Sequence, residues 1–218
     1  GISGGTIWNI GNSRNNGYPY LSWQYPNDPP LGTQQISVSS TFDTNTDGWT
    51  IEGLGSGPTY VSSGGNPGGY IYGEEAGGDD WYWKAPSKFL ANQSAAYGGS
   101  LSFDLRQYYT SSQYDIEDII IEGGGLRIVF DTPNNPATSW THYQVSLTET
   151  AGWKKTSLSG TAPTAAELKT VLGSITRLLI RGEYQIGTDK CDLDNVILSS
   201  TPSTGNASSS PVPRIPPS

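Results

Sequence analysis

The feature that most constrains this chain is strict two-residue alternation. Leu101, Phe103 and Leu105 are interleaved with Ser102, Asp104 and Arg106. Leu126, Ile128 and Phe130 repeat the pattern, as do Tyr143, Val145 and Leu147. In an extended strand successive side chains point to opposite faces, so a period of two predicts strands with one face in a core. Clusters of Gly and Pro separate these runs, as in a sandwich of short strands. One segment has a different period. Thr164 followed by Glu167 forms a capping box, and Leu168, Val171, Leu172 and Ile175 fall on one helical face, with Gly173 weakening its end. The expectation is all-β: two packed antiparallel sheets, the Leu101, Phe103, Leu105 face buried, and one short helix near 164–173. Strands are expected to resume at Leu178-Leu179-Ile180 and to close at 193–198.

Three segments differ in character. Residues 36–200 carry the alternation and form the main domain. Residues 1–35 hold two aromatic runs, Thr6-Ile7-Trp8-Asn9-Ile10 and Tyr18-Pro19-Tyr20-Leu21-Ser22-Trp23, and stop at Asn27-Asp28-Pro29-Pro30. Prolines cannot donate to a ladder, so regular structure is expected to end there. These two runs resemble the closing segment of bacterial adhesins of the filamentous-haemagglutinin and GLUG-repeat type. They read equally well as an aromatic hairpin docked on the main domain. In residues 201–218 the composition narrows to Ser, Thr, Pro, Gly and Asn, and Pro211-Val212-Pro213-Arg214-Ile215-Pro216-Pro217 favours extended polyproline geometry, the chemistry of a linker or tail.

Composition narrows the function. The 218 residues hold 28 Gly, 13 Tyr and 7 Trp, which suits short strands, tight turns and surfaces that bind through aromatic contact. The net charge is −8 and no basic stripe exists, so a nucleic-acid partner is not expected, because that binding needs counterion release from a basic face. An acidic surface also repels anionic lipid, and no apolar run approaches spanning length, so no membrane insertion is expected. The chain opens without a signal-peptide pattern and reads as processed or as cut from something longer. Cys191 is the single cysteine, so no internal disulfide is possible. The style is that of a bacterial secreted protein. Asn92-Gln93-Ser94 and Asn206-Ala207-Ser208 are glycosylation sequons that matter only in a glycosylating host.

Four blocks in order resemble one family. Asp80-Trp81-Tyr82-Trp83-Lys84-Ala85-Pro86-Ser87-Lys88-Phe89-Leu90 is followed by Ala96-Tyr97-Gly98-Gly99-Ser100-Leu101-Ser102-Phe103. Ile180-Arg181-Gly182-Glu183-Tyr184 and Leu193-Asp194-Asn195-Val196-Ile197-Leu198 complete the set. Together they resemble the laminin type IV (laminin B) domain. The resemblance implies a jelly-roll-like antiparallel β-sandwich similar to carbohydrate-binding modules, with no enzymatic activity. It implies an extracellular or cell-surface setting and adhesion to a glycan or to an extracellular matrix or surface polymer. These 218 residues lack the cysteines of the repeats that flank the laminin domain, so the resemblance does not imply a basement-membrane setting. A second reading is a structural subunit of an extracellular filament or surface assembly, joined to neighbouring copies of itself through its termini.

Several residues carry chemistry. Asp43-Thr44-Asn45-Thr46-Asp47-Gly48 opens like an EF-hand calcium loop, but Leu54 stands at the twelfth position where that loop needs an acid. The comparison that remains is the structural calcium of jelly-roll modules, where an acid near the first strand meets one near the last. Asp43 or Asp47 with Asp194 is the candidate calcium set; an Asx turn and a hydrogen-bonded Asp194 explain the same residues without metal. Tyr108, Tyr109 and Tyr114 in a Ser/Thr/Gln loop, with Trp140 and Trp153, are the candidate ligand-binding residues, because a flat ring stacks on the apolar face of a pyranose; rim packing is the alternative for each. Trp49, Trp83 and Phe89 read as core, and Trp81 and Tyr82 as half-exposed. Arg106, Arg127 and Asp104 alternate outward, and Arg181 shares a face with Glu183; if these faces coincide, a charged surface results. His142 has no triad around it in the sequence, Cys191 has no cationic activator, and paired acids such as Glu74 with Glu75 or Glu117 with Asp118 lie in polar loops poorly suited to raising one pKa for glycosidase chemistry.

Overall fold

The computed structural model describes residues 8–9, 20–21, 37–78 and 80–201. The chain divides into two units, Gly1–Gln35 with Pro202–Ser218, and Ile36–Thr201. In the first, β1 (Trp8–Asn9) pairs antiparallel with β2 (Tyr20–Leu21). The rest of both aromatic runs, and the tail, lie outside the described residues.

The second unit is the expected antiparallel β-sandwich. Its strands are β3 (Ser37–Ser40), β4 (Thr50–Gly53), β5 (Gly55–Val61), β6 (Tyr70–Glu75), β7 (Trp81–Lys84), β8 (Ser100–Gln107), β9 (Ile119–Gly123), β10 (Leu126–Phe130), β11 (Thr141–Ser146), β12 (Lys154–Lys155), β13 (Ile175–Arg181) and β14 (Lys190–Ser199). Sheet 1 runs β12-β10-β9-β13-β7-β4 and sheet 2 runs β11-β8-β14-β6-β5. β14 is long enough to serve two neighbours on one side: Lys190 to Leu193 pair with β6, and Val196 to Ser199 pair with β3. Its register against β8 shifts between Asp194 and Ile197, and Asn195 takes φ +49° inside that irregularity. A bulge of this kind re-aims side chains, here at the edge of the candidate site.

Leu101, Phe103 and Leu105 are buried, with Ile119, Ile121 and Ile128 and with Leu178, Ile180 and Leu193 from other strands. Burying each such side chain stabilises by about 1.5–3 kcal/mol relative to exposure. Trp49, Trp83 and Phe89 are core, as expected; Trp81 is fully buried rather than half-exposed. Its indole is clasped by glycines, since a Cβ on Gly182 would lie 2.0 Å and one on Gly55 2.8 Å from the ring. The Arg181-Gly182-Glu183-Tyr184 block that carries part of the family resemblance is therefore a packing unit at one end of the sandwich.

The helix α1 (Ala165–Leu172) has both halves of the predicted capping box. Leu168, Val171 and Leu172 are buried, while Ile175 opens β13 instead of extending the helix, because Gly173 ends it.

Candidate ligand-binding face

On β8 the residues that alternate away from the core are Ser100, Ser102, Asp104 and Arg106. Register carries this outward face across sheet 2. His142 of β11 lies opposite Asp104, which lies opposite Asp194 of β14. Arg106 lies opposite Asp192, and Asp192 opposite Tyr72 of β6; one row further, Lys190 faces Glu74. The outer face of sheet 2 thus gathers Asp104, Arg106, Lys190, Asp192 and Asp194 with Tyr70 and Tyr72.

Arg106 is its centre. Its Nε and Nη2 donate to Asp192 Oδ2 at 2.7 and 2.6 Å. Its guanidinium carbon lies 4.6 Å from the Trp140 ring centroid, 5.2 Å from Tyr70 and 5.9 Å from Tyr108. A planar cation held against ring faces by an ion pair beneath it has few rotamers left. Lys190 repeats the design: its Nζ lies 3.7 Å over Tyr72 and 4.9 Å from Tyr108, and 2.8 Å from Glu74 Oε1. Trp140 packs edge-on against Tyr70, with centroids 5.6 Å apart, and donates Nε1–H to Gly64 O. Beside this group lies an open depression of about 240 Å³ lined by Arg106, Gln107, Tyr108 and Thr138.

The loop between β5 and β6 closes one side. The Asn66 backbone N–H donates to Asp194 Oδ2 at 2.6 Å, the Asn66 amide to Asp104 Oδ2 at 3.2 Å, and the Asn195 amide to Asp104 Oδ2 at 2.9 Å. His142 Nδ1 lies 2.6 Å from Asp104 Oδ1. Burial pushes Asp194 up to about 6, with Asp104 and Asp43 adding to the shift and the N–H groups of Asn66 and Asn195 opposing it. Burial also pushes Asp192 up to about 6, against the pull of Arg106.

The candidate binding residues separate. Tyr108 and Tyr109 are exposed after β8, and Trp140 flanks the guanidinium. Tyr114 is elsewhere: its ring stacks on buried Arg181 at 4.5 Å and its hydroxyl donates to Asp80 at 2.6 Å. Trp153 leaves the set, because it is fully buried, packs against Phe130 at 5.2 Å and donates Nε1–H to Ser146 O. The charged faces do not coincide either. Arg106 and Asp104 belong to sheet 2, Arg127 pairs with Glu122 on sheet 1, and Arg181 and Glu183 are buried at the sandwich end. Burial, with Asp189, Glu75 and Asp80 nearby, pushes Glu183 up to about 8. Burial and adjacent carboxylates hold the Cys191 thiol well above its usual range, which keeps it protonated.

For calcium the candidates also separate. Asp47 forms an ion pair with Lys88. Asp43 faces Asp194 closely enough to raise it, and the loop backbone crosses both: a Cβ on Gly65 would meet Asp194 Oδ2 at 2.6 Å and one on Gly68 would meet Asp43 Oδ1 at 2.7 Å. Asp43 and Asp194 thus fit a cation in charge and in cradle. Both Asp194 oxygens already accept backbone N–H groups, however, and among the described residues no cluster of three or more metal-binding side chains is arranged around an ion.

Asp192, Lys190, Tyr70 and Tyr72 were missing from the expected set. The signal was present: in Lys190-Cys191-Asp192-Leu193-Asp194, inward Cys191 and Leu193 leave the three charged residues outward, and Tyr70-Ile71-Tyr72 alternates likewise.

The fold and this face define a β-sandwich module with an aromatic and charged surface on one sheet. The chain belongs to the laminin B (domain IV) family, whose model matches residues 82–215. Laminin subunit gamma-2 from Equus caballus is 35% identical over 133 residues, 58% of this chain and 11% of that protein. Human laminin subunit gamma-2 is 30% identical over 182 residues, 77% of this chain and 14% of that protein. A basement membrane proteoglycan of Caenorhabditis elegans is 29% identical over 128 residues, 58% of this chain and 4% of that protein. The chain therefore spans only a small part of each relative's length. Among solved structures, the L4b domain of human laminin alpha-2 aligns with TM-score 0.49 and 20% identity over 56% of this chain and 71% of that one. A family 11 carbohydrate-binding module of a Clostridium thermocellum cellulosomal cellulase aligns with TM-score 0.44 and 19% identity, over 77% and 88%. No helix among the described residues is long and apolar enough to cross a membrane.

Proposed function

We propose that this chain is a non-catalytic extracellular binding module that holds a glycan of a matrix or surface polymer on the outer face of sheet 2. The observation that carries this reading is Arg106, fixed by Asp192 and flanked by Trp140, Tyr70 and Tyr108 beside an open depression. A pyranose has an apolar C–H face and a rim of hydroxyls. Exposed ring surface at Trp140 and Tyr108 accepts the first; the unused guanidinium N–H groups donate to the second. Both are held before the ligand arrives, which lowers the entropic cost of binding. The relatives' names, laminin and basement membrane proteoglycan, agree with an extracellular polymer as the partner.

The test is a glycan array followed by titration calorimetry with Trp140→Ala. At least one glycan is expected to bind, and the substitution to weaken it about tenfold or more, from a lost aromatic contact of roughly 1.4 kcal/mol. Unchanged affinity in the variant would remove this face as the site.

A structural calcium held by Asp43 and Asp194 is proposed separately. It would relieve the repulsion between those carboxylates, so chelator is expected to lower the melting temperature and calcium to restore it; an unchanged melting curve ends the idea.

A further inference from the structure

Resting on that reading, the geometry points to a neutral, hydroxyl-rich glycan as the ligand and to rejection of uronic-acid and sulfated glycans. Among the described residues, the outer face of sheet 2 contains two permanent cations, Arg106 and Lys190, against four carboxylates, Glu74, Asp104, Asp192 and Asp194. Neither cation is free. Arg106 spends Nε and Nη2 on Asp192, and Lys190 is paired with Glu74. The side chain of Asp192 is 0% exposed and that of Arg106 24% exposed, so the carboxylate lies beneath and cannot swing into solvent.

At Arg106, the cation that lines the depression, a carboxylate or sulfate on the ligand therefore has two routes, and both are costly. It can displace Asp192 from Arg106, which leaves a buried acid without its counterion. It can instead approach over the existing pair, where the attraction of one guanidinium is cancelled by the acid below and opposed by Asp104 and Asp194 alongside. A ligand hydroxyl meets neither cost. It accepts from a guanidinium N–H that Asp192 does not use, and the ion pair stays intact. At longer range the net charge of −8 repels a polyanion before contact.

The exposed histidine does not reverse this. His142 is 60% exposed as a side chain, but its Nδ1 is held 2.6 Å from Asp104, which is 4% exposed. It forms a second contact, after Arg106–Asp192, in which the carboxylate is the buried member.

The experiment compares hydroxyethyl cellulose and galactomannan with polygalacturonate and chondroitin sulfate by affinity electrophoresis and calorimetry, on wild type and Asp192→Asn. Asparagine keeps an acceptor beneath Arg106 but removes the compensating charge. Wild type is expected to bind a neutral polymer at least about tenfold tighter than either acidic one, and folded Asp192→Asn to narrow that gap at low salt. Acidic polymer bound as tightly as neutral polymer by wild type, or a gap unchanged in folded Asp192→Asn, overturns the inference while the glycan reading stands. Binding of neither class overturns the glycan reading and this inference with it.

Discussion

The two outer faces of the sandwich carry similar charged residues to different ends. On sheet 1 the charges form a ladder: Lys84 to Glu52 at 2.9 Å, Glu52 to Arg177, Arg177 to Glu122 at 2.8 Å, and Glu122 to Arg127 at 3.1 Å. Both signs are about equally exposed, and beside the ladder a small apolar cluster of Ile120, Val129 and Leu179 is covered by Tyr82 and Leu158. On sheet 2 Asp104 is sunk below His142 and Asp192 below Arg106, and the cations of Arg106 and Lys190 lie on aromatic rings. The first face is solvated, and its charges pair with one another. The second keeps ring surface and N–H donors pointing outward with little freedom to move. Charge content alone does not mark a binding surface; the depth of the carboxylates and the rings beside them do.

The largest test of this contrast is stability. Arg106→Met leaves Asp192 buried and unpaired, and is expected to cost about 3 kcal/mol in urea unfolding. Arg127→Met removes one rung of an exposed ladder and should cost less than about 1 kcal/mol. Equal losses would mean that the two faces do not differ as argued. Asp192 can limit its own cost by taking a proton, so the Arg106→Met penalty should shrink as pH falls toward 5.

The two faces also respond to pH with opposite sign. Asp192 and Asp194 are pushed up to about 6 from a normal value near 3.8. Their folded state prefers the proton, so their contribution is full below about 4 and is lost as pH rises through about 6. Glu183, up at about 8, extends the same loss into the alkaline range. Glu52 behaves in reverse: burial would raise it, but Arg177 and Lys84 outweigh burial and hold it low, so its contribution is present above its unfolded value and is lost on acidification. Unfolding free energy is expected to fall by several kcal/mol from pH 5 to pH 8.5, on the order of 1.4 kcal/mol from each aspartate and more from Glu183. Asp192→Asn and Glu183→Gln should each flatten that slope, and Glu52→Gln should flatten only the acid limb. A stability that rises from pH 5 to 8.5 would contradict the assignment.

How much of this could be read beforehand follows from what is local. The alternation in 101–105, the Thr164 and Glu167 capping box and the core roles of Trp49, Trp83 and Phe89 depend on near neighbours or on a face, and the structure has them. The Arg106–Asp192 pair joins residues 86 apart, so it needs the β8–β14 register, which composition does not supply. Trp153, a candidate ligand-binding residue with rim packing as its alternative, is instead fully buried with its indole against Phe130. Asp47 is held by Lys88, a partner 41 residues on that the sequence alone does not place beside it. In each case the missing information was which strand or loop lies alongside.

The smallest expected effect is the sharpest probe of depth. Exposed pairs are screened by salt, because at 1 M the Debye length falls to about 3 Å, while a carboxylate without solvent contact keeps its partner. The ladder members of sheet 1 are about one-third exposed; the Asp192 side chain has no exposure. Raising NaCl from 0.05 to 1 M should therefore erase the Arg127→Met penalty, a change of less than about 1 kcal/mol. The Arg106→Met penalty should stay where it was. The readout is the difference between variant and wild-type urea midpoints at each salt, which cancels the general effect of salt on burial. If the Arg106→Met penalty also fades at 1 M, Asp192 is reached by solvent ions. The pair would then be an ordinary surface bridge, and the argument for a neutral ligand would lose its support, since a ligand's acid group could take Arg106 from a solvated Asp192 at little cost.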